Sequence, residues 1–278
     1  MTEISAEMVK ELRDATNVSM MECKRALTEA GGDMAKATKV LRERGMAVAA
    51  KKASRTANQG LIASSITGDG RTGSLVEVNC ETDFVARNPD FQTFVAELAK
   101  KACATDGNLA DEVKSDVSAK VAAIGENIVV RRNIRYTLDG AGKIASYIHL
   151  GGKVGTLIEV GCTKAETVKN EAFEELAKDL TLQIAASSPK WLTSKEIPSD
   201  VIASEREIYA KQVTGKPANI VDKIVDGKLK KFYSDVCLMD QLFVKEQKQS
   251  ITQLLEAKGK QISDTITIKR FVRYQVGV

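Results

Sequence analysis

The sequence predicts an α+β chain: an N-terminal three-helix bundle, a duplicated core of two three-stranded antiparallel sheets with helices, and an antiparallel helical hairpin inserted into the second copy. Three observations carry this. Helix caps and glycine stops recur over roughly the first 45 residues, an ungapped internal repeat starts at Gly60, and its second copy is longer by a whole structural module.

In the bundle, Ser5 can cap a helix with Met8, Val9 and Leu12 on one face. Ser19-Met20-Met21-Glu22 has the spacing of a capping box, opening a helix that carries Cys23, Ala26 and Leu27 and ends at Gly31-Gly32. Asp33 can cap a third helix with Ala37, Val40 and Leu41 inward and Gly45 as its stop. At the first turn of the second helix one of Met20 and Met21 could point inward while the other stays outside, and each reads either as core filling or, if exposed, as an adaptable contact for a partner helix. Met46 to Arg55, rich in Ala and Lys, is expected to be a helical or extended linker, closing a first domain at 1–55.

The repeat sets 60–80 (GLIASSITGDGRTGSLVEVNC) over 142–162 (GKIASYIHLGGKVGTLIEVGC) at an offset of 82 residues. Each copy reads as a β-hairpin turning at Gly70 or Gly152, followed by a helix: Phe91, Phe94, Val95 and Leu98 share a face in the first, Phe173, Leu176, Leu180 and Ile184 in the second. The closing strands match as well, Ile128 to Leu138 over Ile266 to Val276, now at an offset of 138. The second copy therefore contains 56 additional residues. They hold the helical pattern Ser199 to Val213, a turn at Gly215-Lys216-Pro217, and a second helix through Ile220, Ile224 and Leu229. The expected subdomains are 56–140 and 141–278, the latter interrupted by a helical hairpin at about 186–234.

What both copies share is scaffold; what one copy lacks is where function is sought. After Cys80 the first copy reads Glu81-Thr82-Asp83-Phe84-Val85-Ala86-Arg87, where the second has Thr163-Lys164-Ala165-Glu166-Thr167. Thr82 can cap a short turn and Asn88-Pro89 can start the following helix, which places this segment at a surface strand-to-helix turn. Phe84 either plugs the base of the sheet or is presented, with Asp83 beside it, as an anchor for a partner's pocket. His149 is also unrepeated, standing over Thr67, and reads as a solvated turn residue or an interface contact.

Composition narrows the function classes. Among 278 residues, 41 Lys and Arg against 37 Asp and Glu leave a net charge of +4, and the basic Lys51, Lys52 and Arg55 have no aromatic among them, so no direct nucleic-acid binding is expected. The five scattered cysteines read as reduced thiols in a cytoplasmic protein. With His149 the sole histidine, and no glycine-rich phosphate loop, no catalytic residue, metal site or cofactor is expected. Glu81 with Asp83 is the one carboxylate pair an enzyme could use, and no pocket-forming motif accompanies it. Met1-Thr2-Glu3-Ile4 lacks the character of a signal peptide, and no apolar run reaches the roughly 20 residues of a membrane span.

Val78-Asn79-Cys80-Glu81-Thr82-Asp83-Phe84-Val85-Ala86-Arg87 resembles the elongation factor Ts family, the guanine-nucleotide exchange factors of elongation factor Tu. Supporting stretches are Val9 to Arg13, Met20 to Leu27, Ile124-Gly125-Glu126-Asn127-Ile128, Ser146-Tyr147-Ile148-His149 and Gly227 to Phe232. The resemblance implies that the bundle is ubiquitin-associated-like and contacts the GTPase through Arg13, Met20 and Met21. It ties Thr82, Asp83, Phe84 and Val85 to magnesium dislocation from the GTPase, makes His149 a further contact, and equates the helical hairpin with a coiled-coil module. The implied partner is elongation factor Tu, GDP-bound and nucleotide-free, with no covalent step and a homodimer as a further form. Two departures stand out: the chain stops at Val276-Gly277-Val278 where many members continue into a helix, and Leu150 replaces a usual glycine. The other reading is an adaptor that uses the helical bundle alone, with the core as a dimerisation platform.

Overall fold

The computed structural model describes residues 4–16, 18–213 and 217–278. Helix α1 (Ala6–Thr16) begins where the Ser5 hydroxyl accepts from Met8 N at 3.2 Å, and it buries Val9 and Leu12. Helix α2 (Met20–Glu29) starts at Ser19, which accepts from Glu22 N at 3.4 Å. Only that half of the expected capping box forms. Glu22 instead accepts from Arg25 at 2.8 Å and Arg44 at 3.3 Å, because a carboxylate gains more from two guanidinium groups than from one backbone donor. Positive φ at Gly31 and Gly32 ends the helix, and Asp33 accepts from Lys36 N to open α3 (Met34–Lys52).

Helix α3 does not stop at Gly45. It runs on to Lys52, so most of the expected linker is helical. A glycine inside a helix costs about 1 kcal/mol against alanine; here it admits a close neighbour, since a Cβ on Gly45 would meet Ser118 O at 3.5 Å and Ala122 Cβ at 3.7 Å. The residue read as a stop is a packing glycine.

The first copy runs β1 (Gln59–Ile66), β2 (Thr72–Cys80), α4 (Asp83–Ala86), α5 (Pro89–Ala104), α6 (Leu109–Glu112), α7 (Lys114–Ile124) and β3 (Val129–Thr137), with antiparallel sheet order β1-β2-β3. Helix α5 lies on one sheet face, burying Phe91, Phe94 and Leu98 against Val76, Val78 and Cys80. The second copy runs β4 (Gly142–His149), β5 (Val154–Gly161), α8 (Glu171–Ser187), α9 (Ser199–Lys211), α10 (Ala218–Val236), β6 (Leu242–Phe243), β7 (Glu246–Ser250), α11 (Ile251–Ile262) and β8 (Thr267–Gln275). Its sheet order is β4-β5-β8, and α8 buries Phe173, Leu176, Leu180 and Ile184 against it. Helices α9 and α10 pack antiparallel, joined by Arg206 to Asp226 and by Lys228 to Gln212. Of the turn expected between them, Gly215 and Lys216 lie outside the described residues. The β6–β7 ribbon has no counterpart in the first copy.

Matching residues meet across a pseudo-twofold axis. Ile62 N donates to Gly152 O at 2.7 Å, and its counterpart Ile144 N donates to Gly70 O at 3.1 Å. Ser64 Oγ meets its own equivalent, Ser146 Oγ, at 2.9 Å across the axis, and within each copy Leu138 N to Arg71 O is matched by Val276 N to Lys153 O. Each copy thus offers the other the same surface, as in an isologous dimer. The sheets close on Ile62, Leu75, Ile144 and Leu157, with Tyr136 and Tyr274 buried beside them. The close approach depends on two equivalent glycines: a Cβ on Gly73 would stand 2.5 Å from Ile144 Cγ2, and one on Gly155 2.4 Å from Ile62 Cγ2. Even the β-bulges recur, at Glu77/Val78 and Glu159/Val160.

Candidate functional site

Strand β2 delivers the chain to Glu81 and Thr82, whose backbone N–H groups both donate to Glu126 Oε2, at 3.1 and 3.0 Å. The Thr82 hydroxyl donates to Glu126 Oε1 at 2.6 Å and accepts from Val85 N at 3.3 Å, capping the single turn of α4. At the other end Asn88 accepts from Asp90 N and Pro89 fills the first position of α5, where its missing N–H goes unused. Between these fixed ends Ala86 is buried and Val85 packs on the first-copy core.

Phe84, on the same turn, points away from the core with 82% of its surface exposed. The reading in which it plugs the base of the sheet is thereby overturned. A free phenyl ring on a pinned turn is a preformed anchor that loses little conformational entropy on docking. Asp83 is partly exposed and accepts from Arg87 at 3.0 Å, an exposed i,i+4 pair that a partner can rearrange at little cost. Glu81 faces elsewhere: its Oε1 accepts from Asn127 N at 2.6 Å and lies 3.5 Å from Arg55. Glu81 and Asp83 are therefore engaged with different partners, each held by its own cation. Beneath the turn, burial and then the Glu126 carboxylate push the Cys80 thiol up to about 11.

The other sequence-derived residues lie in two places. Arg13 is exposed near the end of α1, and Met20 and Met21 open α2, so the three share one end of the bundle. The core-filling reading of the two methionines does not hold: Met20 is 44% exposed and Met21 63%, because Cys23, Ala26 and Leu27 fill the interior. His149 is exposed at the tip of the β4–β5 hairpin, its Nδ1 2.8 Å from the Tyr147 hydroxyl. Leu150 after it holds a left-handed φ of 49°, the conformation that favours glycine, and projects freely. The hairpin tip leans on β1, where Lys153 Nζ donates to Gln59 Oε1 and Gly60 O, both at 3.2 Å.

Glu126 is the residue that sequence reasoning missed. A signal for it existed. Extending the closing-strand offset of 138 two residues back from Ile128 sets Glu126 over Asp264, a carboxylate in both copies. Asp264 holds the second copy's turn in the same way, accepting from Thr163 N and Lys164 N at 3.1 Å each, from Thr167 Oγ1 at 2.6 Å, and from the Thr163 hydroxyl. Its burial raises the carboxyl pKa, but these donors outweigh that and hold it well below the usual carboxylate range. Among the described residues no group of His, Cys, Asp and Glu side chains is arranged to hold a metal, and no helix is long and apolar enough to cross a membrane.

Fold and site together define a duplicated α+β scaffold that presents one clamped aromatic tip and carries a helical module at its N-terminus. The chain belongs to the elongation factor Ts family of translation elongation factors, whose model, described as Elongation factor TS, matches residues 81–278. It is similar to the elongation factor Ts of Clostridium botulinum (strain Alaska E43 / Type E3), 45% identical over 287 residues spanning 99% of this chain and 93% of that one. The elongation factor Ts of Trichlorobacter lovleyi is 40% identical with the same coverage, and that of Nitratidesulfovibrio vulgaris (strain DP4) 41% identical over 99% of this chain and 96% of its own. These relatives span the N-terminal bundle too, which the family model leaves out.

Proposed function

We propose that the protein binds elongation factor Tu carrying GDP and promotes release of the nucleotide, acting in the cytoplasm without catalysing a chemical step. The observation that supports this most is the exposure of Phe84 on a turn held from both sides. A GTPase holds its nucleotide partly through a magnesium ion bridging the phosphates. A factor that binds the nucleotide-free conformation more tightly than the loaded one weakens nucleotide binding by the same ratio. In this reading Phe84 is the wedge that shifts the partner's elements around the magnesium, and Asp83 exchanges Arg87 for donors on the partner. Thr82 and Val85 support the turn. Arg13, Met20 and Met21 form a second contact and His149 a third, so the GTPase is gripped at separate points while one of them intrudes. Direct capture of magnesium by Asp83 is disfavoured, since one carboxylate competes poorly with a phosphate-bound site.

The test is the rate of GDP release from elongation factor Tu with the wild-type chain and with Phe84→Ala. Acceleration by the wild type and its loss in the variant support the wedge. An undiminished rate in the variant sinks it and favours the adaptor reading, in which the bundle alone docks and the core dimerises. Sedimentation of the isolated chain tests the homodimer.

A further inference from the structure

We infer that Glu126 is a positioning residue for exchange, fixing the direction in which Phe84 is presented through a relay that runs from its carboxylate through the Thr82 hydroxyl to Val85 N–H. This rests on the reading of Phe84 as the exchange wedge. Three features of the geometry carry it. The carboxylate uses both oxygens, Oε2 for the Glu81 and Thr82 backbone donors and Oε1 for the Thr82 hydroxyl. A hydroxyl has one proton and two lone pairs; with its proton committed to Glu126, Thr82 Oγ1 turns a lone pair to Val85 N, the residue after Phe84. The loop bearing Glu126 is itself anchored, by Asn127 N on Glu81 at 2.6 Å, Asn127 Nδ2 on Arg55 O at 2.8 Å, and Lys52 on Gly125 O.

The second copy supplies an independent comparison. Asp264 performs the same clamping on a turn that has Glu166 in place of Phe84. The clamp is thus a device of the fold, and the first copy has loaded an aromatic onto it. Pinning such a side chain matters because a displacement of about 1 Å at a remote support can cost up to about 100-fold in the step it serves.

Glu126→Gln keeps the size of the side chain and removes the relay, because an amide has one acceptor oxygen and cannot serve both sides. With elongation factor Tu and GDP, the variant is expected to lower the saturating rate of GDP release about tenfold, with a smaller change in the half-saturating concentration, since the bundle contacts remain. Glu126→Asp should restore part of the rate, as the shorter carboxylate serves the second copy. In a Phe84→Ala background, Glu126→Gln should add no further loss. A wild-type rate for Glu126→Gln, or the same loss with and without Phe84, overturns the inference. If Phe84→Ala proves silent, the exchange reading fails instead, and amide hydrogen exchange in the free protein still judges the relay. Val85 N–H should exchange faster in Glu126→Gln at an unchanged melting temperature; unchanged protection would refute the relay.

Discussion

The Arg132 guanidinium lies 4.3 Å from the ring centre of Tyr274 in the other copy of the repeat, and Arg270 lies 4.2 Å from the ring of Tyr136 in return. Each arginine also donates its Nε to the glutamate opposite it, Arg132 to Glu77 and Arg270 to Glu159, both at 2.7 Å. Each further reaches a backbone carbonyl of the other copy, Gln275 O at 3.1 Å and Thr137 O at 3.2 Å. The seam between the copies is therefore stapled twice by the same four-part device.

Removing one staple should be costly. Arg132→Ala strips the main cation from Glu77, which is fully buried, and leaves only Arg131 at 4.0 Å. A loss of about 3 kcal/mol is expected, the low end for breaking a buried pair, because the guanidinium is itself about a third exposed. The urea midpoint of unfolding measures it; a shift equivalent to less than about 1 kcal/mol would show that the seam does not depend on this pair.

The glycines at the seam should tolerate nothing larger. Gly155→Ala places a methyl group 2.4 Å from Ile62 Cγ2 and 3.0 Å from Leu75 Cδ1, so the sheets must part or the side chains leave their rotamers. About 2 kcal/mol of destabilisation is expected by thermal melting, and a similar loss from Gly73→Ala.

Phe84 should separate function from stability. Phe84→Ala removes a side chain that is 82% exposed, so the stability of the variant should match the wild type within about 0.5 kcal/mol, with little change in melting temperature. GDP release should slow by roughly 30-fold, the size of a dominant interface anchor. A drop in melting temperature would mean that the ring supports the fold after all.

Alkaline pH should weaken the fold through Cys80. Its thiol is pushed up to about 11 by burial first and by Glu126 second, against an ordinary value of 9.0. The neutral thiol is favoured in the folded state, so this stabilisation is complete below the ordinary value and is lost as pH rises toward 11. Cys80→Ala should therefore be less stable than the wild type at about pH 8, with the gap in urea midpoint narrowing as the wild type ionises on unfolding. A gap that stays constant to about pH 11 would place the thiol at its ordinary value.

The repeat was legible because hairpins leave marks in sequence: alternating apolar residues, and glycines that must hold positive φ, as at Gly70 and Gly152. The helices were legible from Ser5, Ser19 and Asp33, whose caps are local. What failed was non-local. A glycine that stops a helix and one that seats it against another look the same, and Gly45 is distinguished only by Ser118 and Ala122, which arrive some seventy residues later. The exposure of Met20 and Met21 depends on how full the bundle interior already is. Strand β7, Glu246-Gln247-Lys248-Gln249-Ser250, has no apolar alternation and is defined by pairing with β6 alone. The tip itself was found by what one copy lacks, but its support was hidden because Glu126 reaches it from 44 residues away.

The paired carboxylates, Glu126 in one copy and Asp264 in the other, make the turn that follows each hairpin a socket rather than a fixed part of the fold. The socket fastens to backbone amides and to hydroxyls at its rim, and Ala86 and Thr167 are buried beneath it, so the side chain at the tip, Phe84 or Glu166, is the part that answers to no folding requirement. Phe84 and its counterpart Glu166 are then interchangeable bits in two matching chucks, only one of which has been fitted with a hard point. A scaffold made twice can keep one chuck for gripping its own frame while the other is free to change tools.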